Sequence, residues 1–265
     1  MAQSEFEGRR FVVTGAASGM GAQLVTDLRA RGGIVTGLDI REPTVELDRF
    51  VSVDMADAAA IRDAADAIGD LDDLVHCAGI PEDVAPPEVV MSVNFFGLRE
   101  LTQALLPRLA DGGNVLSIAS VAGHRWRDRE DFHRALLATD SFDAGLEVFR
   151  SAPAEIHARP VYATSKEAVW AYTAVLATKL LSRGIRVNSV CPGPVNTRIL
   201  PNFMAKMSDA SLDTFHQTVS RPLDPAEITS VMMFLLSGAA SQVTGQNVIV
   251  DGGFIGGATF GSWEC

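Results

Sequence analysis

Residues 9–32 read "RRFVVTGAASGMGAQLVTDLRARG". The opening "RRFVVTGA" has the apolar, β-branched character of a buried strand running into a turn. From Met20 onward apolar residues recur at helical spacing, and Gly32 supplies a stop. Between strand and helix, Gly15, Gly19 and Gly21 let the backbone pass close to a pyrophosphate, with Ser18 and Met20 completing the loop. The helix start offers free N–H groups and a favourable dipole to the same anion. Three glycines alone are a weak signal, because many turns hold glycine. Their place in the first strand–helix–strand unit gives the phosphate-cradle reading its weight.

The alternation continues along the chain. "GIVTGLD" and "RFVSVDM" read as strands, "DAAAIRDAADAIG" as a helix and "DDLVHCAG" as a fourth strand. A long helix is expected from near Glu88 to about Leu109. "GNVLSIAS", "IRVNSVCPG" and "QNVIVDGG" complete seven strands. Nearly continuous Val, Ile and Leu implies strands covered on both faces. The expected fold is therefore α/β, a Rossmann-type doubly wound parallel seven-stranded sheet with helices on both faces. Residues 1–265 are expected to form one such nucleotide-binding domain. One stretch breaks the rhythm. Between "SVAG" and "VYATSK" lies a charged, helix-prone segment, about 124–160, too long for a simple connection. It is expected to be a helical insertion, with a lid region at about 198–221.

Composition narrows the class. The chain has 265 residues, 47% hydrophobic and 21% charged, with a formal net charge of −11. An acidic surface repels phosphate backbones, so nucleic acid is not an expected partner. The three cysteines are too scattered for a disulfide framework. "MAQSEFEGRRF" lacks the apolar stretch of a signal peptide, and the run "VMMFLL" is too short to span a bilayer. The expectation is a soluble cytoplasmic protein with no membrane partner. The five histidines show no metal spacing, so no metal is expected.

Asp39 ends the second strand in "GLDIRE". A carboxylate there can accept both ribose hydroxyls of an adenosine and repels a 2′-phosphate. Ser18, rather than Lys or Arg, precedes Gly19. Both features favour NAD over NADP, with Arg41 the one neighbouring cation able to turn toward a phosphate.

In "VYATSK", Tyr162 and Lys166 are one helical turn apart on one face. A phenol has a pKa near 10 and is a poor base at neutral pH. A cation about 4 Å away at an effective dielectric near 20 favours the phenolate by roughly 4 kcal/mol. That is about three pKa units, and an oxidised nicotinamide would add to it. A Tyr-x-x-x-Lys match alone is common. Here Ser120 ends the fifth strand, where its hydroxyl can polarise a carbonyl or alcohol oxygen, and Asn94 sits inside the long helix, where Asn gains little. Strand ends at the carboxyl edge of a parallel sheet are where such folds bind ligands.

Together, "TGAASGMG", "CAG" at Cys77–Gly79, Asn94, Ser120, "YATSK" and "PGPVNT" at Pro192–Thr197 resemble the short-chain dehydrogenase/reductase family over essentially the whole chain. The resemblance implies a catalytic tetrad of Asn94, Ser120, Tyr162 and Lys166. Tyr162 would be the acid/base, and Ser120 would hold the substrate oxygen. Lys166 would lower the tyrosine pKa and bind the nicotinamide ribose, and Asn94 would hold a water in a proton relay. It further implies that Asp54 and Met55 contact adenine, that Ala78 and Gly79 border the ribose, and that Val195 and Thr197 bind carboxamide and phosphate. Two departures stand out. Cys77 replaces the usual Asn, and Ser120 and Tyr162 lie 42 positions apart, far more than in most members. The insertion resembles the branch of coniferyl-alcohol dehydrogenase and bacterial 3α-hydroxysteroid dehydrogenase/carbonyl reductase.

The activity implied is NAD-dependent hydride transfer between an alcohol and nicotinamide. A rival of another class, a nucleotide sensor or scaffold without chemistry, is opposed by the intact tetrad. Leu200, Phe203 and Met204, with Ile199, Met207, Trp126 and Phe132, would make an apolar pocket for an aromatic or alicyclic alcohol or ketone if they face the site. Singly, each is as well explained by packing. The family implies a homo-oligomer, and an insertion before the tyrosine helix favours a homodimer over a tetramer. The tail "GGATFGSWEC" has too many glycines to fold alone, and Phe260 and Trp263 could dock it on a neighbouring subunit.

Overall fold

A computed structural model describes residues 5–207, 209–219 and 221–260. Strands form where the sequence runs apolar: β1 (Arg10–Thr14), β2 (Ile34–Asp39), β3 (Arg49–Ser52), β4 (Leu71–His76), β5 (Leu109–Ile118), β6 (Arg186–Pro192) and β7 (Asn247–Val250). They pair in parallel in one sheet, ordered β3-β2-β1-β4-β5-β6-β7. Parallel pairing demands crossovers, and helices supply them on both faces. Successive strand residues point to opposite faces. Thus Phe11 and Val13 pack with Leu24, Leu28, Ile228 and Met232, whereas Val12 packs on the other side with Ile61, Leu98 and Val169.

The first layer consists of α1 (Gly19–Arg29) and a later helix, residues 225–236; the second includes α2 (Ala58–Ala67). The expected helix from Glu88 to about Leu109 forms as one continuous helical run with an irregularity inside it. α3 (Pro87–Met91) passes through a π-turn, Ser92–Phe96, into α4 (Gly97–Leu105) and a short 3-10 turn. Asn94 lies in the π-turn, a place where helix interiors tolerate an irregularity that serves a side chain.

The segment before the tyrosine is helical, as expected. A turn at Trp126–Arg129 leads into α5 (Glu130–Leu137), α6 (Phe142–Arg150), α7 (Ala154–His157) and then α8 (Val161–Leu180), which carries Tyr162. Two buried charges fasten the insertion. Arg99 of α4 lies between the Phe95 and Phe96 rings and donates to the carbonyls of Leu136 and Ser141 and to the Thr139 hydroxyl. Glu167 of α8 is fully buried and meets Arg129, His133 at 3.1 Å and Arg159 at 3.4 Å. All three partners come from the inserted segment.

After β6 come α9 (Leu200–Met204), α10 (Asp209–Thr218) and α11 (Pro225–Leu236), the last opened by a reciprocal cap between Asp224 and Glu227. The glycine-rich tail corrects its expectation in part, because residues 254–260 form α12 (Phe254–Phe260). The Asp251 carboxylate starts it by accepting the amides of Gly253 and Ile255 at 2.9 and 2.8 Å, and Phe254 packs on Phe215. The Phe260 side chain and Trp263 lie outside the described residues.

Candidate active site

The chain runs from β1 to one side of the sheet and returns to β4 on the other, so a crevice opens beyond the carboxyl ends of β1 and β4. Gly15 has φ 69°, and a methyl group on it would lie 2.6 Å from the Ala78 nitrogen. One on Gly21 would lie 2.2 Å from the Gly15 carbonyl oxygen. These two glycines are required for the tight turn itself. Ser18 begins α1 without capping it through its side chain, so the first amides of the helix remain available to an anion.

A cavity of about 360 Å³ follows the crevice. Gly15, Ser18, Gly19 and Met20 line it, as do Asp39, Arg41, Asp54 and Met55. Ala78, Gly79 and Thr197 also border it. Asp39 accepts the Ala17 amide at 3.0 Å and the Arg41 amide at 3.0 Å, which fixes its carboxylate at the cavity wall. Asp54 accepts the Ala56 amide. Val195 is buried and bridges to Leu223, holding the segment that carries Thr197 against the glycine loop. A cleft bordered by uncapped helix amides and by the Asp39 carboxylate fits a dinucleotide.

Cys77 stands where an Asn was implied, yet the turn is held without it. The Thr14 hydroxyl accepts the amides of both Cys77 and Ala78 at 3.1 Å. Burial pushes the Cys77 thiol up to about 12, so it is a protonated, unreactive group at neutral pH.

At the far end of the crevice the four tetrad residues converge. The Asn94 side chain accepts the Ile80 amide at 2.8 Å and donates to the Ile80 carbonyl and the Ser165 hydroxyl. Ser120 follows β5, and its hydroxyl accepts the Ala122 amide at 3.2 Å. It lies near enough to Tyr162 to pull the phenol pKa downward. The Phe203 ring of α9 lies over Tyr162, with centroids 4.7 Å apart, and the Asn202 amide of the same helix reaches Asp83 at 2.6 Å. Leu200 and Met204 sit half-buried on this short helix, and Ile199 borders the cavity. Phe132 instead packs against the core, and Arg127 stacks on Trp126.

The lysine lies beside the tyrosine on the same helix face. Lys166 Nζ donates to the Ile118 carbonyl at 2.9 Å and lies 5.7 Å from the centre of the Tyr162 ring. Burial pushes Tyr162 up to about 12, against the Ser120 hydrogen bond, and pushes Lys166 down to about 8. In the chain by itself desolvation therefore outweighs the nearby Ser120 hydroxyl, and the phenol is held protonated. Three residues that the sequence reading passed over also touch the site's frame: Glu167, Arg99 and Trp170. The Trp170 indole donates to the Ser120 carbonyl at 2.9 Å. The other tyrosine, Tyr172, is core, edge-on to Phe95.

The arrangement agrees with known proteins. The chain is 32% identical over 251 residues to a coniferyl-alcohol dehydrogenase from Pseudomonas sp. (strain HR199 / DSM 7063), covering 94% of this chain and 97% of the relative. The chain belongs to the short-chain dehydrogenase/reductase family. The family description "short chain dehydrogenase" matches residues 9–129, and "Enoyl-(Acyl carrier protein) reductase" matches residues 148–255. The gap between the two matches holds α5 and the start of α6, the heart of the insertion. A 3-alpha-hydroxysteroid dehydrogenase/carbonyl reductase from Comamonas testosteroni is 34% identical over 249 residues, covering 91% of this chain and 95% of that one. The branch expected from the sequence is thus the one found. Among solved structures, a short chain dehydrogenase family protein from Francisella tularensis superposes with a TM-score of 0.72 at 23% identity, covering 94% and 99% of the two chains. The Thermoplasma acidophilum aldohexose dehydrogenase gives 0.73 at 22% identity, with 100% and 99% covered. These two share the fold. The chain is thereby an oxidoreductase of this family. Among the described residues no helix is long and apolar enough to cross a membrane, and no cluster of side chains could hold a metal ion.

Proposed function

We propose that this short-chain dehydrogenase/reductase oxidises a small apolar secondary, allylic or aromatic alcohol with NAD. The observation that carries the reading is the contact of Ser120 with Tyr162 at the end of a dinucleotide-shaped crevice, with Lys166 beside them. When bound, the nicotinamide accepts or returns the hydride. Asp39 binds the adenosine ribose and disfavours a 2′-phosphate, and Asp54 and Met55 flank the adenine. Ala78, Gly79, Val195 and Thr197 border the ribose, carboxamide and phosphates. Ser120 orients the alcohol oxygen and Tyr162 exchanges its proton. Tyr162 at about 12 is set up as an acid. Acting as a base requires additional positive charge, which an oxidised nicotinamide brings into the same low-dielectric site.

Phe203, Leu200 and Met204 supply an apolar cover above Tyr162, which suits a flat or alicyclic substrate. The identity to the coniferyl-alcohol dehydrogenase supports an aromatic allylic alcohol, and that to the Comamonas protein supports a 3α-hydroxysteroid as the second reading. Because α6 packs against α3, the π-turn and α4, and α5 against α8, the insertion covers helix surface that a tetramer would use. This supports a homodimer.

The test is NADH formation with cinnamyl-type, alicyclic and 3α-steroid alcohols, run with NAD and NADP in parallel. NAD-dependent turnover of a cinnamyl-type alcohol is expected. Tyr162→Phe should abolish it while NADH binding, followed by fluorescence, persists. Loss of both together would assign Tyr162 a structural role, and a preference for NADP would refute the role of Asp39.

A further inference from the structure

Tyr162, Lys166 and Trp170 occur at i, i+4 and i+8 of α8, one stripe on one helix face. The first two belong to the tetrad. The third reaches the serine: Trp170 Nε1–H donates to the Ser120 carbonyl oxygen at 2.9 Å, the same oxygen that accepts the Gly123 amide at 3.0 Å. The local sequence is shaped around this contact. A methyl group on Gly123 would lie 2.4 Å from Trp170 Cδ1, 2.8 Å from Nε1 and 2.7 Å from the Lys166 carbonyl oxygen. Gly123 has ordinary backbone angles, so closeness rather than conformation excludes a side chain there. From the other side, the Asn247 amide of β7 donates to the Trp170 carbonyl at 3.3 Å, and Asn247 Oδ1 accepts the Ser189 hydroxyl of β6 at 2.5 Å. Trp170 is therefore held at its indole N–H and at its backbone carbonyl.

We infer that Trp170 is a positioning residue, tying the Ser120 backbone to the helix that carries Tyr162 so that the two hydroxyls keep their separation. Ser120 and Tyr162 are far apart in sequence, with the whole inserted segment between them. A loop of that length does not by itself set the serine's register to the tyrosine; Lys166 ties the tyrosine helix to the Ile118 carbonyl, and Trp170 extends the tie to Ser120 itself. The same segment is also held by the Ser120 hydroxyl, which caps the turn Val121–Gly123, and by the Ala119 amide, which donates to the Val190 carbonyl. Because misplacement by about 1 Å can cost on the order of a hundredfold in rate, a contact this close to the reacting oxygen matters.

The inference rests on the catalytic reading of Ser120 and Tyr162, and the test separates the two. Trp170→Phe keeps a flat apolar ring and deletes the N–H. In the enzyme with NAD and its best alcohol, kcat is expected to fall about tenfold or more, with NADH affinity within twofold of wild type. The acidic limb of kcat/KM is expected to move to higher pH, because Ser120 lowers the Tyr162 pKa and a slack serine lowers it less. The charged or titratable neighbours of Tyr162, Lys166 and Cys191, are unchanged by the substitution. An unaltered kcat and pH profile would overturn the inference. So would a fall in kcat accompanied by equal losses of NADH affinity and melting temperature, the pattern of general packing damage.

A second measurement does not need turnover. The chain has two tyrosines, so Tyr172→Phe leaves Tyr162 as the sole site for 3-fluorotyrosine. Trp170→Phe should shift its fluorine resonance, as should Ser120→Ala. If wild type oxidises no alcohol but Trp170→Phe and Ser120→Ala shift the resonance alike, the catalytic reading fails and the strut stands. If only Ser120→Ala shifts it, the strut fails.

Discussion

Removing the Glu167 carboxylate should loosen the insertion from the catalytic helix. Its side chain is fully buried and receives Arg129, His133 and Arg159, whose side chains are 13%, 0% and 33% exposed. Truncating one partner of a buried ion pair costs about 3–5 kcal/mol, because the remaining charge is left unpaired. Arg159, a third exposed, can turn toward water, which points to the lower end. Glu167→Ala should thus lose about 3 kcal/mol, or roughly 6 °C in melting temperature for a chain of this size. Burial raises the Glu167 pKa, but hydrogen bonds from His133 and Arg129 more than offset it, so the carboxyl titrates below its usual range. A depressed acid stabilises above its unfolded pKa, and that contribution disappears as pH falls through the folded value. The gap between wild type and variant should accordingly be full at pH 7 and shrink in acid. Urea unfolding at several pH values measures it. Adding Arg129→Met should recover part of the loss, since it removes the orphaned cation. A Glu167→Ala cost below about 1 kcal/mol at pH 7, or strictly additive effects in the double variant, would refute the account of the clamp.

Other outcomes follow from separate sites. Asp39→Ser removes the charge that opposes a 2′-phosphate while Arg41 remains; because like-charge contacts cost several kcal/mol, the NADP-to-NAD ratio of kcat/KM should rise at least about tenfold. His76 is buried and its pKa is pushed down to about 3 by desolvation, so its stabilising contribution is complete above about 6.5 and declines as pH falls. At pH 4.5 this amounts to roughly 2–3 kcal/mol, and His76→Gln should flatten that part of the urea-unfolding profile. Phe203→Ala uncovers Tyr162; since burial is the main cause of its raised pKa, the acidic limb of kcat/KM should move to lower pH, with KM for bulky alcohols rising.

Much of this arrangement could be read from residue order alone, for a physical reason. Strands buried on both faces need unbroken apolar runs, and "FVV", "LVH" and "VLSI" announce β1, β4 and β5 without help from partners. Ligand-facing residues then fall at strand ends, so the topology places Gly15, Asp39 and Ser120. What escaped was decided by tertiary contact. Spacing puts Lys166 one turn from Tyr162, but it does not reveal that the ammonium is bonded to the Ile118 carbonyl, nor that burial raises the Tyr162 pKa. Glu167 reads as an ordinary helix surface charge until Arg129, His133 and Arg159 arrive from the insertion. Arg99 and Trp170 are similar cases. The helix at residues 254–260 was missed because glycine-rich sequence argues against helix, and the Asp251 cap that starts it depends on the fold around β7.

The paired anchors at Arg99 and Glu167 bear on anyone wishing to transplant the α5–α6 hairpin into a plainer homologue. It is not a detachable cassette. A recipient lacking the acceptor carboxylate would inherit orphan guanidiniums beneath its reactive centre, and one lacking the arginine would leave a corner of bare carbonyls against aromatic rings. The graft must carry both sockets along with the plug.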